Sequence, residues 1–298
     1  MREQDHTQLP RGRDIPLLIL GIIGIGTSGP VIALSTMPIL AMVFWRNLGG
    51  ALLMFTVGLR SREWLKPESR SGIKWSALAG VALAFHFIGF FISMRYTTVA
   101  AGTALTALQP IFAAYFVKRL GGHIPKQAWL GMVISFAGVL IITGVDFQIS
   151  RRAFLGDLAA IVCAALAAIY VLIGSQAQRT ISTATYTSVC YFVCAITALP
   201  IALMTGTRIW GFDAREWWLL AALIAGAQIL GHTMFNLALK RVSPAIVSLI
   251  VFFEVPVSAV LAYWWLGQLP PSGTIPGLFL LLVGCVIFVL RNRNADKR

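Results

Sequence analysis

The sequence predicts an all-α integral membrane protein with ten transmembrane helices arranged as two inverted five-helix repeats. Three observations predict it. Apolar residues make up 58% of the 298, and the mean hydropathy is +0.80, whereas soluble domains hold an apolar share of about 45–50%. The apolar residues gather into ten runs, each near the ~20 residues that cross about 30 Å of hydrocarbon as a helix. A shift of 146 positions also lays the chain on itself. Gly80, His86, Arg95, Pro110, Gly121, Pro125, Gly131 and Gly138 then fall on Gly226, His232, Arg241, Pro256, Gly267, Pro271, Gly277 and Gly284. Each copy holds five runs, and an odd number brings the second copy into the membrane from the opposite side.

The runs lie at 15–34, 37–60, 73–94, 97–118, 127–145, 155–175, 183–205, 216–238, 243–266 and 273–292. None shows the alternation of barrel strands. A polar segment, 1–14, precedes the first run. Ala33 and Ser35 resemble a small-residue cleavage site, but losing this run would leave four spans against five, so it reads as a retained helix. The first repeat covers 15–145 and the second 155–292, followed by a tail at 293–298. Between the repeats, Asp146, Gln148, Ser150, Arg151 and Arg152 interrupt the apolar pattern.

Run two carries Arg46 about halfway along, where a cation costs about 2.5–3.5 kcal/mol and requires a partner. The candidates are a substrate carboxylate, Glu254 and helix carbonyls. Run three places His86 among Phe85, Phe87, Phe90 and Phe91 and ends at Tyr96; inward-facing rings there suit an aromatic ligand. Run four sets Thr103, Thr106 and Gln109 on one face, although threonine hydroxyls also bond back to their own helix. Pro110 then breaks that helix, as Pro256 breaks run nine, freeing carbonyls at Thr106 and Phe252. Such symmetric breaks near mid-membrane suit either a substrate cavity or simple packing kinks.

Run five repeats glycines at Gly131 and Gly138, and run ten at Gly277 and Gly284, where helices can approach closely. Asp157 opens run six and reads as a charge at a helix N-terminus. Cys163, Cys190, Cys194 and Cys285 all lie inside runs, which gives neither a disulfide framework nor zinc spacing. In run eight Gln228, His232 and Asn236 follow at i, i+4 and i+8, a polar stripe that must face the bundle interior; it reads as a substrate wall or as an interhelical ladder. Glu254 in run nine is the one acidic residue deep in a run. It serves either proton coupling or a structural pairing with Arg46.

The net charge of +13 follows alternate loops instead of forming a nucleic-acid patch. With the N-terminus inside, eighteen of the 24 basic residues fall in cytoplasmic segments and five in outer ones (Arg95, Arg151, Arg152, Arg208 and Arg215). Positive-inside orientation puts both termini in the cytoplasm of a bacterial inner membrane. The basic loops then meet anionic headgroups.

Pro38 followed eight residues later by Arg46 resembles the signature of EamA-type drug/metabolite transporters. Thr97 to Thr103 leading to Gln109 and Pro110, then Gly131 and Gly138, resembles a second signature, and Ser243 to Pro256 with Gly277 and Gly284 repeats it. The resemblance covers essentially the whole chain. It implies ten helices in inverted halves and secondary transport of small metabolites, often export of amino acids, with aromatic ones among the substrates. The family often carries Gly-Glu after helices four and nine; Gly121-Gly122 and Gly267-Gln268 stand there instead.

The expectation is therefore a transporter that exports amino acids or related metabolites by alternating access through a central cavity, with the lipid bilayer as its other partner and proton coupling through Glu254. It is not expected to be an enzyme or to need a cofactor or metal. No phosphate-binding GxxxxGK[ST] run occurs. Two other readings stay open. Gly26-Thr27-Ser28-Gly29 has the GxSG form of intramembrane serine hydrolases, which would need a histidine in reach of Ser28. A non-transporting receptor or scaffold is the other.

Overall fold

A helix buried in lipid must satisfy its own backbone, so the predicted runs should appear as long helices punctuated only where proline or glycine requires it. The computed structural model, which describes residues 12, 15–59, 63–119, 121, 128–235 and 251–295, shows this. The first span divides into α1 (Ile15–Gly26) and α2 (Ser28–Leu34). The division falls at Thr27, whose hydroxyl turns back to Gly24 O at 2.7 Å, just before the Gly29-Pro30 pair. After Pro38 comes α3 (Ile39–Gly58), then α4 (Arg70–Tyr96).

The fourth span is again in two pieces, α5 (Val99–Thr106) and α6 (Gln109–Arg119). Thr98 starts it, its hydroxyl accepting from Ala101 N at 3.2 Å. α7 (Ala128–Ile149) completes the first repeat. The second holds α8 (Arg151–Ala177), capped by Ser150, α9 (Thr183–Met204), capped by Ser182, and α10 (Ala214–Leu223). Next come α11 (Glu254–Leu266) and α12 (Ile275–Ala295).

Two findings differ from the sequence expectation. The chain continues from α10 as a π-helix over Ile224–Thr233. Its hydrogen bonds reach five residues back instead of four, so the i, i+4 spacing of Gln228 and His232 does not give the stacked α-helical stripe. Asp157 is not a helix cap either. It lies in the second turn of α8, fully buried, while Ser150 caps the helix.

Packing obeys the repeat. α4 lies along α8, and its counterpart, the α10 and π segment, lies along α1. α7 packs on α12 and α3 on α9, each helix against its own equivalent. The α7–α12 crossing fixes the symmetry. Gly131 faces Gly284, and Gly138 faces Gly277, so the two helices run in opposite directions. A methyl group on Gly284 would lie 2.4 Å from Ser135 N, and one on Gly138 would lie 2.5 Å from Leu281 N. Between these contacts the Ser135 hydroxyl donates to Leu281 O at 3.3 Å. Residue 281 is residue 135 shifted by one repeat, and only residues on a twofold axis touch their own equivalents. The axis passes there, and the repeats are inverted.

The outside of the bundle is apolar. Leu52, Val133, Phe279 and many like them are more than half exposed, a surface that water would not tolerate and lipid tails cover. Seven described helical segments, counting α1 with α2 and α5 with α6, are long and apolar enough to cross a membrane. The fold is an all-α membrane protein.

Candidate functional site

The two broken spans meet at mid-bundle. Pro110 has no N–H to offer Thr106 O, and the helix stops at Thr106 and restarts at Gln109. Pro256 acts one repeat later: residues 252–253 form a turn before α11, and the Phe252 carbonyl takes a tighter bond from Val255 N at 3.3 Å. The Ser258 hydroxyl donates to Thr103 Oγ1 at 3.2 Å and ties the two broken spans together.

Beside these breaks lies a cavity of about 170 Å³. Of the residues singled out from sequence, Arg46, His86, Gln109, Pro110 and Glu254 line it, with Phe87 and Phe90 on its wall. Pockets for drug-sized ligands run to roughly 300–1,000 Å³, so this one suits a small metabolite.

Arg46 is 1% exposed, yet among the described residues its Nε and Nη1 have no hydrogen-bond partner. The guanidinium rests on the face of Phe87, 4.2 Å from the ring centre, with Phe91 at 5.8 Å. A ring face offers a desolvated cation some stabilisation but accepts none of its in-plane N–H groups. Pairing with Glu254 was one alternative from sequence. Among the described residues, the ion pair within 4 Å is Arg215–Glu216, not Arg46–Glu254. Among the described residues, the cavity therefore presents one cation and one carboxylate that form no ion pair with each other.

His86 Nδ1 donates to Cys163 O on α8 at 3.0 Å, with Cys163 Sγ at 3.1 Å. A carbonyl can only accept, so the proton sits on Nδ1 and Nε2 keeps its lone pair. The ring stacks on Phe90 with centroids 6.2 Å apart. Thr103 and Thr106 bond back to Val99 O and Gly102 O, at 2.7 and 2.9 Å, so their hydroxyl protons are used within the helix.

Other candidates lie elsewhere. Tyr96 is at the end of α4, its ring under the Arg152 guanidinium at 4.6 Å, and is not on the cavity wall. Gln228 packs against Gly50 of α3 and hydrogen-bonds with Tyr191. The His232 side chain and all of Asn236 lie outside the described residues, as do Arg241 and Gly122. Ser28 does share the cavity with His86. Among the described contacts, however, His86 Nδ1 is bonded to Cys163 and no hydrogen bond joins the histidine to Ser28, so the nucleophile–base contact is not made.

Sequence reasoning missed two polar clusters. Asp146, nearly fully buried, accepts from the Thr97 hydroxyl at 2.6 Å, with buried Asp157 nearby. Glu216, 5% exposed, gathers the turn after α2. Its partners lie 179 to 181 residues earlier in the chain, so no local sequence signal marks its burial.

Comparison with known proteins fits this geometry. The model of the EamA-like transporter family matches residues 13–144 and again 154–290. An uncharacterized transporter of Archaeoglobus fulgidus is 26% identical over 249 residues, covering 82% of this chain and 85% of that one. The uncharacterized transporter YyaM of Bacillus subtilis is 24% identical over 244 residues, 78% and 77% of the two chains. A solved structure superposes with a TM-score of 0.63 at 18% identity, over 95% of this chain and 99% of the other, which shows a shared fold.

Proposed function

We propose, because this chain belongs to the EamA-like transporter family, that it exports small metabolites carrying both a carboxylate and an ammonium group, that is, amino acids, aromatic ones among them. It is a multi-pass membrane transporter; the proposal concerns its cargo and path. The observation that carries it is the buried guanidinium of Arg46, whose Nε and Nη1 lack a hydrogen-bond partner among the described residues, facing the same cavity as Glu254. A buried cation without a partner is costly, and an anionic ligand removes that cost when bound.

In this reading Arg46 receives the substrate carboxylate and Glu254 its ammonium. His86 Nε2 and Gln109 supply polar contacts, and Phe87 and Phe90 face the side chain. Glu254 exchanges the ammonium for a proton, which couples export to the proton gradient. On sequence grounds, His232 and Asn236 of the second repeat are assigned further substrate contacts, whereas Gln228 packs against Gly50 of α3. Pro110 and Pro256 let the broken spans rearrange as one repeat rocks on the other. The eighteen-to-five distribution of basic residues supports a plasma-membrane orientation with both termini cytoplasmic.

The test is counterflow of labelled amino acids into liposomes holding the purified protein, with and without a pH gradient. Saturable exchange, with accumulation only when the gradient is present, is the expected result. Absence of exchange for every amino acid would refute the cargo assignment.

A further inference from the structure

The turn joining the first two spans of each repeat is held by a glutamate from the other repeat. In the first repeat the turn follows α2. Glu216 Oε2 accepts from Ser35 Oγ at 2.5 Å and from the backbone N–H groups of Thr36 and Met37, both at 3.1 Å. Its Oε1 accepts from Thr36 Oγ1 at 3.0 Å. Arg95, at the end of α4, grips the carbonyl side of the same turn, donating to Met37 O at 2.6 Å.

In the second repeat the turn lies between α8 and α9. Glu63 Oε2 accepts from Ser182 N and Ser182 Oγ, both at 2.9 Å. Residue 182 is residue 36 shifted by one repeat, so the two carboxylates hold the same place in the two turns. They arrive from different points of the repeat: Glu216 opens the α10 helix, whereas Glu63 lies in the short turn before α4. Because the chain crosses the membrane between them, the two turns lie on opposite faces.

We infer that Glu216 and Glu63 are opposed latches of the transport cycle, Glu216 closing the outer mouth and Glu63 the inner one. This rests on the transporter reading above. Each glutamate ties a hairpin of one repeat to the other repeat, and these are the bodies that must part for a mouth to open. Both latches are engaged in this structure, so opening either side requires release of that side's latch alone. The carboxylates bond backbone N–H groups and short hydroxyls, partners that a small shift withdraws together, which makes each contact two-state.

The experiment places a reporter cysteine at Ala107 on the cavity wall, in a full-length chain whose four native cysteines are replaced. A membrane-impermeant thiol reagent is applied from one face at a time in oriented vesicles. Glu216→Gln should raise labelling from the outer face relative to the inner by about tenfold, and Glu63→Gln should shift the ratio the other way by a similar factor. Ser35→Ala and Ser182→Ala, which weaken the same latches from the donor side, should shift in the same opposite directions and decide the matter if a glutamate variant fails to fold. Shifts of one sign for both latches, or unchanged ratios, would overturn the inference, since loss of structural support alone has no preferred side. Counterflow by the parent protein is measured in parallel. Its failure with the labelling shifts intact would strike the proposed cargo and leave the latches standing.

Discussion

The two repeats share a frame but differ in chemistry. Their helices cross at Gly131, Gly138, Gly277 and Gly284 around one twofold axis, and both break their fourth span at equivalent prolines. The charged groups of the cavity do not repeat. The place of Arg46 is taken in the second repeat by Phe192, half exposed on the lipid side, and the place of Glu254 in the first by Leu108, buried in the core. A symmetric frame offers two equivalent ways to tilt one half against the other. Charges present in one copy each make a single polar site between the halves, with a cation on one and a carboxylate on the other.

The comparison breaks most visibly at the axis. Gly138→Leu and its equivalent Gly284→Leu both drive a side chain into backbone atoms that cannot move aside, and each should destabilise the protein by about 1–3 kcal/mol or more. The two losses, read as melting shifts in detergent, should be alike. A variant tolerated at one position and not the other would show that the frame is not equivalent.

Arg46→Gln should sharpen the contrast. Loss of a charge-assisted contact to substrate lowers exchange by roughly 10- to 100-fold, while thermal stability holds or rises because an unpaired buried charge has gone. Phe192→Ala, at the equivalent place, should leave exchange nearly unchanged. Marked destabilisation by Arg46→Gln would return Arg46 to a structural pairing. Glu254→Gln should next abolish gradient-driven accumulation but keep part of the exchange, checked by uptake with and without a pH gradient.

The smallest effect belongs to Glu63. Burial opposes its ionisation, but hydrogen bonds from Thr185 and Ser182 outweigh burial and hold the carboxyl below its usual 4.5. A depressed value stabilises the fold above the ordinary glutamate range and loses that contribution as the pH falls through the lowered one. The melting difference between the parent and Glu63→Gln should therefore be present at neutral pH and narrow below pH 4.5. A difference constant across that range would remove ionised Glu63 from the contact.

Much of this was legible before any coordinates. Helix lengths follow from the hydrocarbon thickness, and the inverted repeat from punctuating residues that background composition does not match. Arg46, His86, Gln109 and Glu254 meet at one cavity because mid-membrane polar groups have nowhere else to go. What stayed hidden depends on distance across the bundle. Glu63 and Glu216 sit at unequal places in the repeat, so no periodicity links them, and their bonds span about half the chain. Asp157 read as a charge at a helix N-terminus because its burial depends on the packing of α8 against α4, which the local sequence does not display. The π winding after α10 left no sign in residues chosen by α-helical spacing.

The central claim is that Arg46 and Glu254 read the two charges of one substrate. Competition for counterflow by an amino acid, its decarboxylated amine and its deaminated acid tests this most directly, in the parent protein, Arg46→Gln and Glu254→Gln. The parent should favour the zwitterion over both analogues; Arg46→Gln should lose its preference over the amine, and Glu254→Gln its preference over the acid. Parent-like selectivity in both variants would contradict the account.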